Sequence, residues 1–188
     1  MTEVVYPTYL TSVSLFTRID ARDRSVFKRL VIAEHAPRHV RWVHQALTHL
    51  GGAWLTIGLC TLPLLLPINT QTSPFHFAAR VGLATLLISH FIVRILKRTI
   101  GRPRPSARTS ARTLITEPDC FSFPSGHSAA AMSVALAYAV AFPLFAAPLL
   151  GIALAVGGSR VFLGVHYPGD VVIGQMIALI TGAIVLSL

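Results

Sequence analysis

Beyond residue 45 the chain is built from five apolar stretches separated by short polar or proline-marked breaks, at about 46–67, 75–96, 125–142, 146–163 and 169–188. At about 1.5 Å of rise per helical residue each can cross roughly 30 Å of hydrocarbon, the third and fourth only just. Those two short stretches are therefore expected inside a bundle. Pro67 with Asn69, Pro74, Pro143 with Pro148, and Pro168-Gly169 supply the breaks. Small residues recur every fourth position along the later stretches (Ala129, Ser133, Ala137; Gly151, Ala155; Gly174, Ala178, Gly182), a spacing that permits close helix contact. The pattern predicts an all-α, polytopic membrane bundle of about five transmembrane helices over residues 46–188.

The first 45 residues read differently. Arg18, Arg22, Arg24, Lys28, Arg29, Arg38 and Arg41 are interspersed with Phe16, Ile19, Phe27, Leu30, Val31 and Ile32. Apolar residues at mixed spacings of three and four among so many cations predict an N-terminal interfacial amphipathic segment, one or two helices lying on the membrane surface. Pro37 is expected to separate it from the first span. The first apolar run begins near Ala46, so targeting is expected to rest on that span rather than on a secretory leader.

Composition agrees with a bilayer as solvent: 53% hydrophobic residues, mean hydropathy +0.65 and 12% charged, where soluble chains carry about 25% charged. A net charge of +9 would suggest nucleic acid in a soluble protein, but the cations cluster at the ends of apolar stretches without a reader motif. Membrane lipids with anionic headgroups are the expected counter-charge, and no nucleic acid. With five crossings, the N-terminal region, the loop 97–124 and the turn 159–168 fall on one side. That side also collects Arg94, Lys97, Arg98, Arg102, Arg104, Arg108 and Arg112, against Arg80 near the other. By the positive-inside rule it faces the cytoplasm, in a multi-pass protein of the cell's inner membrane.

Three segments at these membrane edges carry chemistry. Lys97, Arg104 and Arg160 are candidate phosphate-binding cations, because guanidinium forks match phosphate oxygens and lysine adds a point charge; Arg102, which also precedes a proline, competes for the role of Arg104. Ser125 is a candidate N-cap, leaving the amides of Gly126 and His127 free to bind an anion, with His127 placed to act as a general acid. His166 is a candidate nucleophile whose tautomer a carboxylate at Asp170 could fix. Paired carboxylates suited to a two-metal site are lacking, so metal-free catalysis without cofactors is expected. His35 and His39 are split by Pro37; with His44, His49, His76 and His90 they are expected to be interfacial or packing residues. Cys60 and Cys120 neither pair nor open a Cys-x5-Arg phosphatase loop.

Together, Lys97-x6-Arg104-Pro105, Pro124-Ser125-Gly126-His127 and Ser159-Arg160-x5-His166-x3-Asp170 resemble the three-part signature of the type 2 phosphatidic acid phosphatase (PAP2) superfamily, and the register favours Arg104 over Arg102. The resemblance implies that His166 becomes transiently phosphorylated with Asp170 orienting it. It implies further that His127 protonates the leaving group and that Lys97, Arg104, Ser125, Gly126 and Arg160 bind phosphate, with no metal. Better-known membrane members have six spans and a site facing away from the cytoplasm, where five and the opposite side are read here; the arrangement before the first motif is similar to the polyisoprenoid diphosphate phosphatase branch.

The expected function is hydrolysis of lipid phosphates or diphosphates, such as isoprenyl diphosphates, phosphatidic acid or phosphatidylglycerol phosphate, with homo-oligomerisation left open. Alternatives are a non-catalytic lipid-phosphate binding or transport protein, and a vanadium haloperoxidase-like enzyme, against which bilayer-length spans argue.

Overall fold

The structure, a computed structural model, describes residues 15–31, 36–66, 73–109, 113–117 and 119–188, with residues 15–19 by backbone alone. The Pro67/Asn69 break, Ile32, His35 and Arg112 lie outside the described residues. Among those described there are eight α-helices and no strand: α1 Leu15–Leu30, α2 Arg38–Leu50, α3 Ala53–Leu65, α4 Pro74–Ile100, α5 Pro105–Arg108, α6 Gly126–Ala141, α7 Ala146–Phe162 and α8 Pro168–Leu186. A 3-10 turn, Pro143–Phe145, leads into α7.

Prolines open several of these helices, where the missing N–H costs nothing: Pro74, Pro105 and Pro168 stand at the first positions of α4, α5 and α8. Helix α4 ends at Gly101, whose φ of +59° lets its amide return to the Lys97 carbonyl at 3.1 Å. Among the described residues three helices are long and apolar enough to cross a membrane: α4, α7 with its preceding turn, and α8.

The expected first span is not one straight helix. Its apolar run starts near Ala46, but α2 begins at Arg38, and α2 and α3 meet at Gly51-Gly52 with a 41° bend; only together do they pass as a span. Gly51 is required at this corner, because a Cβ there would stand 2.7 Å from Val156 Cγ1 and 2.9 Å from the His127 carbonyl. The bend thus presses the α2–α3 corner against the start of α6.

Helix α6, at 16 residues, is an apolar helix shorter than a span. It packs against α4, α7 and α8, and ten of its residues are buried, most of them alanine or serine. A helix apolar on every side belongs in the centre of a bundle, and small side chains let three neighbours approach. Ala129, Ser133 and Ala137 are buried as the spacing predicts, with Ser133 Oγ 3.1 Å from Ser89 Oγ on α4. Gly174 and Gly182 of α8 lie under Ser125 and Leu136. Gly151 and Ala155 of α7 instead face outward; its packing face is Ala153, Val156 and Gly157.

Helix α1 docks on the protein through Phe27, while Val26 and Leu30 stay exposed. Phe27 is fully buried edge-on against Tyr167, ring centres 5.3 Å apart, in a cluster with Val161 and Val171. Helix α1 therefore packs against α7 and α8 at the end where the three motifs lie.

Substituting Gly174 by alanine should test the α6–α8 contact, since the new Cβ would sit 2.5 Å from the Ser125 carbonyl oxygen. Such overpacking costs about 1–3 kcal/mol. We expect a melting temperature several degrees lower in detergent for Gly174→Ala, and no change for Gly151→Ala, whose Cβ would meet nothing within 4 Å.

Candidate active site

The three motifs converge at one end of the bundle. The Ser125 amide donates to the Asp170 carbonyl at 2.9 Å, joining the second motif to the third. Arg104 Nη1 donates to the Val165 carbonyl at 2.8 Å, joining the first to the third. An antiparallel bridge between Pro103 and Phe121, with the Ser122 amide on the Arg102 carbonyl at 2.8 Å, draws the first against the lead-in to the second.

His166 sits in the tight connection from α7 to α8. Gly164, at φ +81°, turns the chain back so that the amides of Val165 and His166 both donate to the Arg160 carbonyl, at 3.2 and 3.3 Å. The imidazole is 2% exposed, and its Nε2 lies 3.4 Å from Arg104 Nη1. Arginine can only donate, so Nε2 is the accepting nitrogen and the proton is assigned to Nδ1. Nδ1 faces Asp170 Oδ2 at 3.6 Å, longer than a hydrogen bond, and has no other partner. Burial lowers the His166 pKa to about 4; Asp170 opposes this, and Arg160 and Arg104 reinforce it. At neutral pH the ring is uncharged, with a lone pair on Nε2.

Asp170 is fully buried and well held: Oδ1 accepts from Arg102 Nη1 at 2.6 Å and Oδ2 from the Tyr167 amide at 2.8 Å, as the first-turn cap of α8. Ser125 caps α6, its Oγ accepting from the Ser128 amide at 3.5 Å and from the Ser128 hydroxyl at 2.9 Å. Arg160, 1% exposed, donates to Thr48 Oγ1 of α2 at 2.5 Å and keeps Nε unpaired.

A cavity of about 440 Å³ opens among these elements. Lys97, Arg104, Gly126, His127 and His166 line it, and apolar groups such as Ile57, Leu86 and Leu87 from α3 and α4 extend it. Ser125, Arg160 and Asp170 are buried and do not line it. All eight residues singled out from the sequence thus belong to one cluster, five on the cavity surface and three supporting it.

The sequence reading missed several neighbours. His90, expected to be a packing residue, lines the cavity; a Cβ on Gly126 would lie 3.8 Å from its Nε2. Its position was readable in principle, since His90, Arg94 and Lys97 follow one face of α4, and Arg94 also lines the cavity. Asp119 had no assigned role. Its carboxylate accepts from Lys97 Nζ at 3.1 Å and from Arg104 Nη2 at 2.9 Å, while its carbonyl takes Arg104 Nε at 2.6 Å. Burial alone would raise the Asp119 pKa, but Lys97 and Arg104 outweigh it and hold the carboxyl below its ordinary value. Two of the three cations expected to grip an anion already grip one. Arg102, set aside by the motif register, pairs with Asp20, Asp23 and Asp170 at 2.7, 2.8 and 2.6 Å. Among the described residues no three His, Cys, Asp or Glu side chains are grouped to hold a metal ion.

The family model described as the PAP2 superfamily matches residues 78–188. The lipid A 1-phosphatase of Rhizobium johnstonii is 30% identical over 166 residues, 79% of this chain and 68% of that one. The undecaprenyl-diphosphatase BcrC of Bacillus subtilis is 31% identical over 131 residues, 69% of this chain and 66% of that one. Among solved structures, a transmembrane PAP2 type phosphatidylglycerolphosphate phosphatase from Bacillus subtilis superposes with a TM-score of 0.71 at 25% identity, covering 90% of this chain and 85% of that one.

An incoming oxyanion would compete with Asp119 for Lys97 and Arg104. Asp119→Asn should therefore tighten orthovanadate binding by about tenfold, equivalent to about 1.4 kcal/mol, as read by protection against thermal unfolding across a vanadate titration.

Proposed function

Because this chain belongs to the PAP2 superfamily, we propose that it is an integral membrane lipid phosphatase in which His166 is the nucleophile, acting on lipid phosphates or diphosphates such as isoprenyl diphosphates, phosphatidic acid or phosphatidylglycerol phosphate. The observation that carries this reading is the 3.4 Å approach of His166 Nε2 to Arg104 Nη1 in a cavity that Lys97, Gly126 and His127 share. It unites an uncharged nucleophile with the cations and helix-start amides that a transferring phosphoryl group requires.

In the proposed reaction the substrate's terminal phosphate displaces Asp119 from Lys97 and Arg104 and takes further stabilisation from Arg160 and the start of α6, which Ser125 and Gly126 shape. His166 Nε2 attacks phosphorus; the bond to the lipid oxygen breaks, and His127 gives that oxygen its proton. The phosphorylated imidazole is cationic, and Asp170 stabilises it across Nδ1. His127, now the base, takes a proton from water as its oxygen attacks phosphorus, and inorganic phosphate leaves with His166 restored. No step calls on a metal. The apolar walls from α3 and α4 suit the lipid chain.

The division into an interfacial segment, residues 1–45, and a catalytic bundle, 46–188, belongs to the same proposal, with α2 running across the boundary. So does the side of the membrane: the excess of Lys and Arg around the site supports a cytoplasmic-facing site in the inner membrane.

Phosphate release from a panel of detergent-solubilised lipid phosphates and diphosphates should be abolished in His166→Ala, blocked by vanadate and indifferent to excess EDTA; full turnover by the alanine variant would exclude the phosphohistidine route. In intact cells, Cys120, which is exposed while Cys60 is buried, should resist a membrane-impermeant maleimide and react only after permeabilisation.

A further inference from the structure

We infer that helix α1 is a working part of the active site: Asp20 and Asp23 hold Arg102 on Asp170, and so position the His166–Asp170 pair from outside the cavity. The inference rests on the reading of His166 as nucleophile and adds three positioning residues to it, none of which is a signature position of the three motifs.

The observations form a chain of short contacts. Arg102 lies at the meeting point of three carboxylates, with Nη1 on Asp170 Oδ1 at 2.6 Å and on Asp23 Oδ2 at 2.8 Å, and Nη2 on Asp20 Oδ1 at 2.7 Å. Its guanidinium carbon stands 4.1 Å above the centre of the Tyr167 ring, the ring that Phe27 of α1 packs against from another side. Asp23 also accepts from the Gly169 amide at 2.8 Å, fastening α1 to the turn between His166 and Asp170. Burial works against the charge on Arg102, and Asp170, Asp23 and Asp20 more than offset it, so the guanidinium stays fully protonated.

The arrangement controls Asp170. A carboxylate has two oxygens in one plane, so fixing Oδ1 on Arg102 fixes the direction of Oδ2, which faces His166 Nδ1. At 3.6 Å that approach is loose, and a carboxylate free to turn would serve it worse. Arg102 alone, however, would draw the negative charge of Asp170 to itself. Asp20 and Asp23 share the guanidinium and leave Asp170 available to the imidazolium that forms on phosphorylation. None of the three lines the cavity, so they act through Asp170 and not on the substrate.

The test is the isosteric double variant Asp20→Asn/Asp23→Asn of the full chain, with each single variant alongside. We expect kcat to fall by about 10–100-fold, the scale typical of outer partners that orient a site, with KM and vanadate affinity within twofold of the parent. Arg102→Lys, which keeps the charge and loses the fork, should show the same split, and Asp23→Glu should recover most of the loss. A second readout is independent of turnover: in protein labelled with 15N-histidine, the signals lost in His166→Gln report a proton held on Nδ1 in the parent, and should report mixed tautomers in the double variant. A double variant with kcat within twofold of the parent and unchanged His166 signals would overturn the inference. Should the double variant fail to fold, the singles decide by the same two measurements. Changed His166 signals alongside a parent inactive on every lipid tested would uphold the positioning role while rejecting the phosphatase reading.

Discussion

Arg104 and Arg160 are the two largest fully buried side chains among the described residues, and a guanidinium cannot leave water without partners for its charge and its N–H groups. Much of the local structure at this end of the bundle follows from that requirement. Arg104 is met by the carbonyls of Asp119 and Val165 and by the Asp119 carboxylate, which fixes the path of both flanking loops. Arg160 reaches across to Thr48 on α2 and offers its own carbonyl to two amides of the following turn. Through its bond to the Val165 carbonyl, Arg104 also helps to set the turn on which His166 is carried.

The same requirement explains how a 16-residue helix can sit at the heart of a membrane protein. Helix α6 need not reach both surfaces, because α4, α7 and α8 surround it and its first residues, Gly126 and His127, line the cavity that Lys97, Arg104 and His166 share. Its alanine-rich surface permits that enclosure, and the Gly51 corner and Gly174 let neighbouring backbone come within touching distance of its first turn. A short, enclosed helix delivers its N-terminus to the depth at which His166 lies.

Local chemistry was legible in the sequence and distant pairing was not. The Ser125 cap and the His166–Asp170 spacing could be read from turn and cap geometry, as could the apolar length of α4 and α8, whereas the choice of Arg104 over Arg102 came only from the resemblance to the family signature. The broken first span was hidden because Gly51-Gly52 sits inside an apolar run, and only the approach of Val156 and the His127 carbonyl shows why a corner is needed there. Asp20 and Asp23 were lost in a segment dominated by cations; their partner Arg102 lies 82 and 79 positions on, a separation that no periodicity encodes. Thr48 is 112 residues from Arg160 and equally unmarked. His90 and Arg94 were omissions that the helical repeat of α4 could have corrected.

The carboxylate of Asp119 between Lys97 and Arg104 bears on what the pocket will admit. A bilayer is crowded with phosphodiester headgroups, each with one negative charge on phosphorus, and a bare cationic pocket would fill with them. With a singly charged tenant already seated, a diester gains little by exchange, whereas a terminal phosphate near neutral pH brings close to two charges and three free oxygens. Occupancy becomes a contest that favours monoesters and diphosphates over the bulk lipid around them.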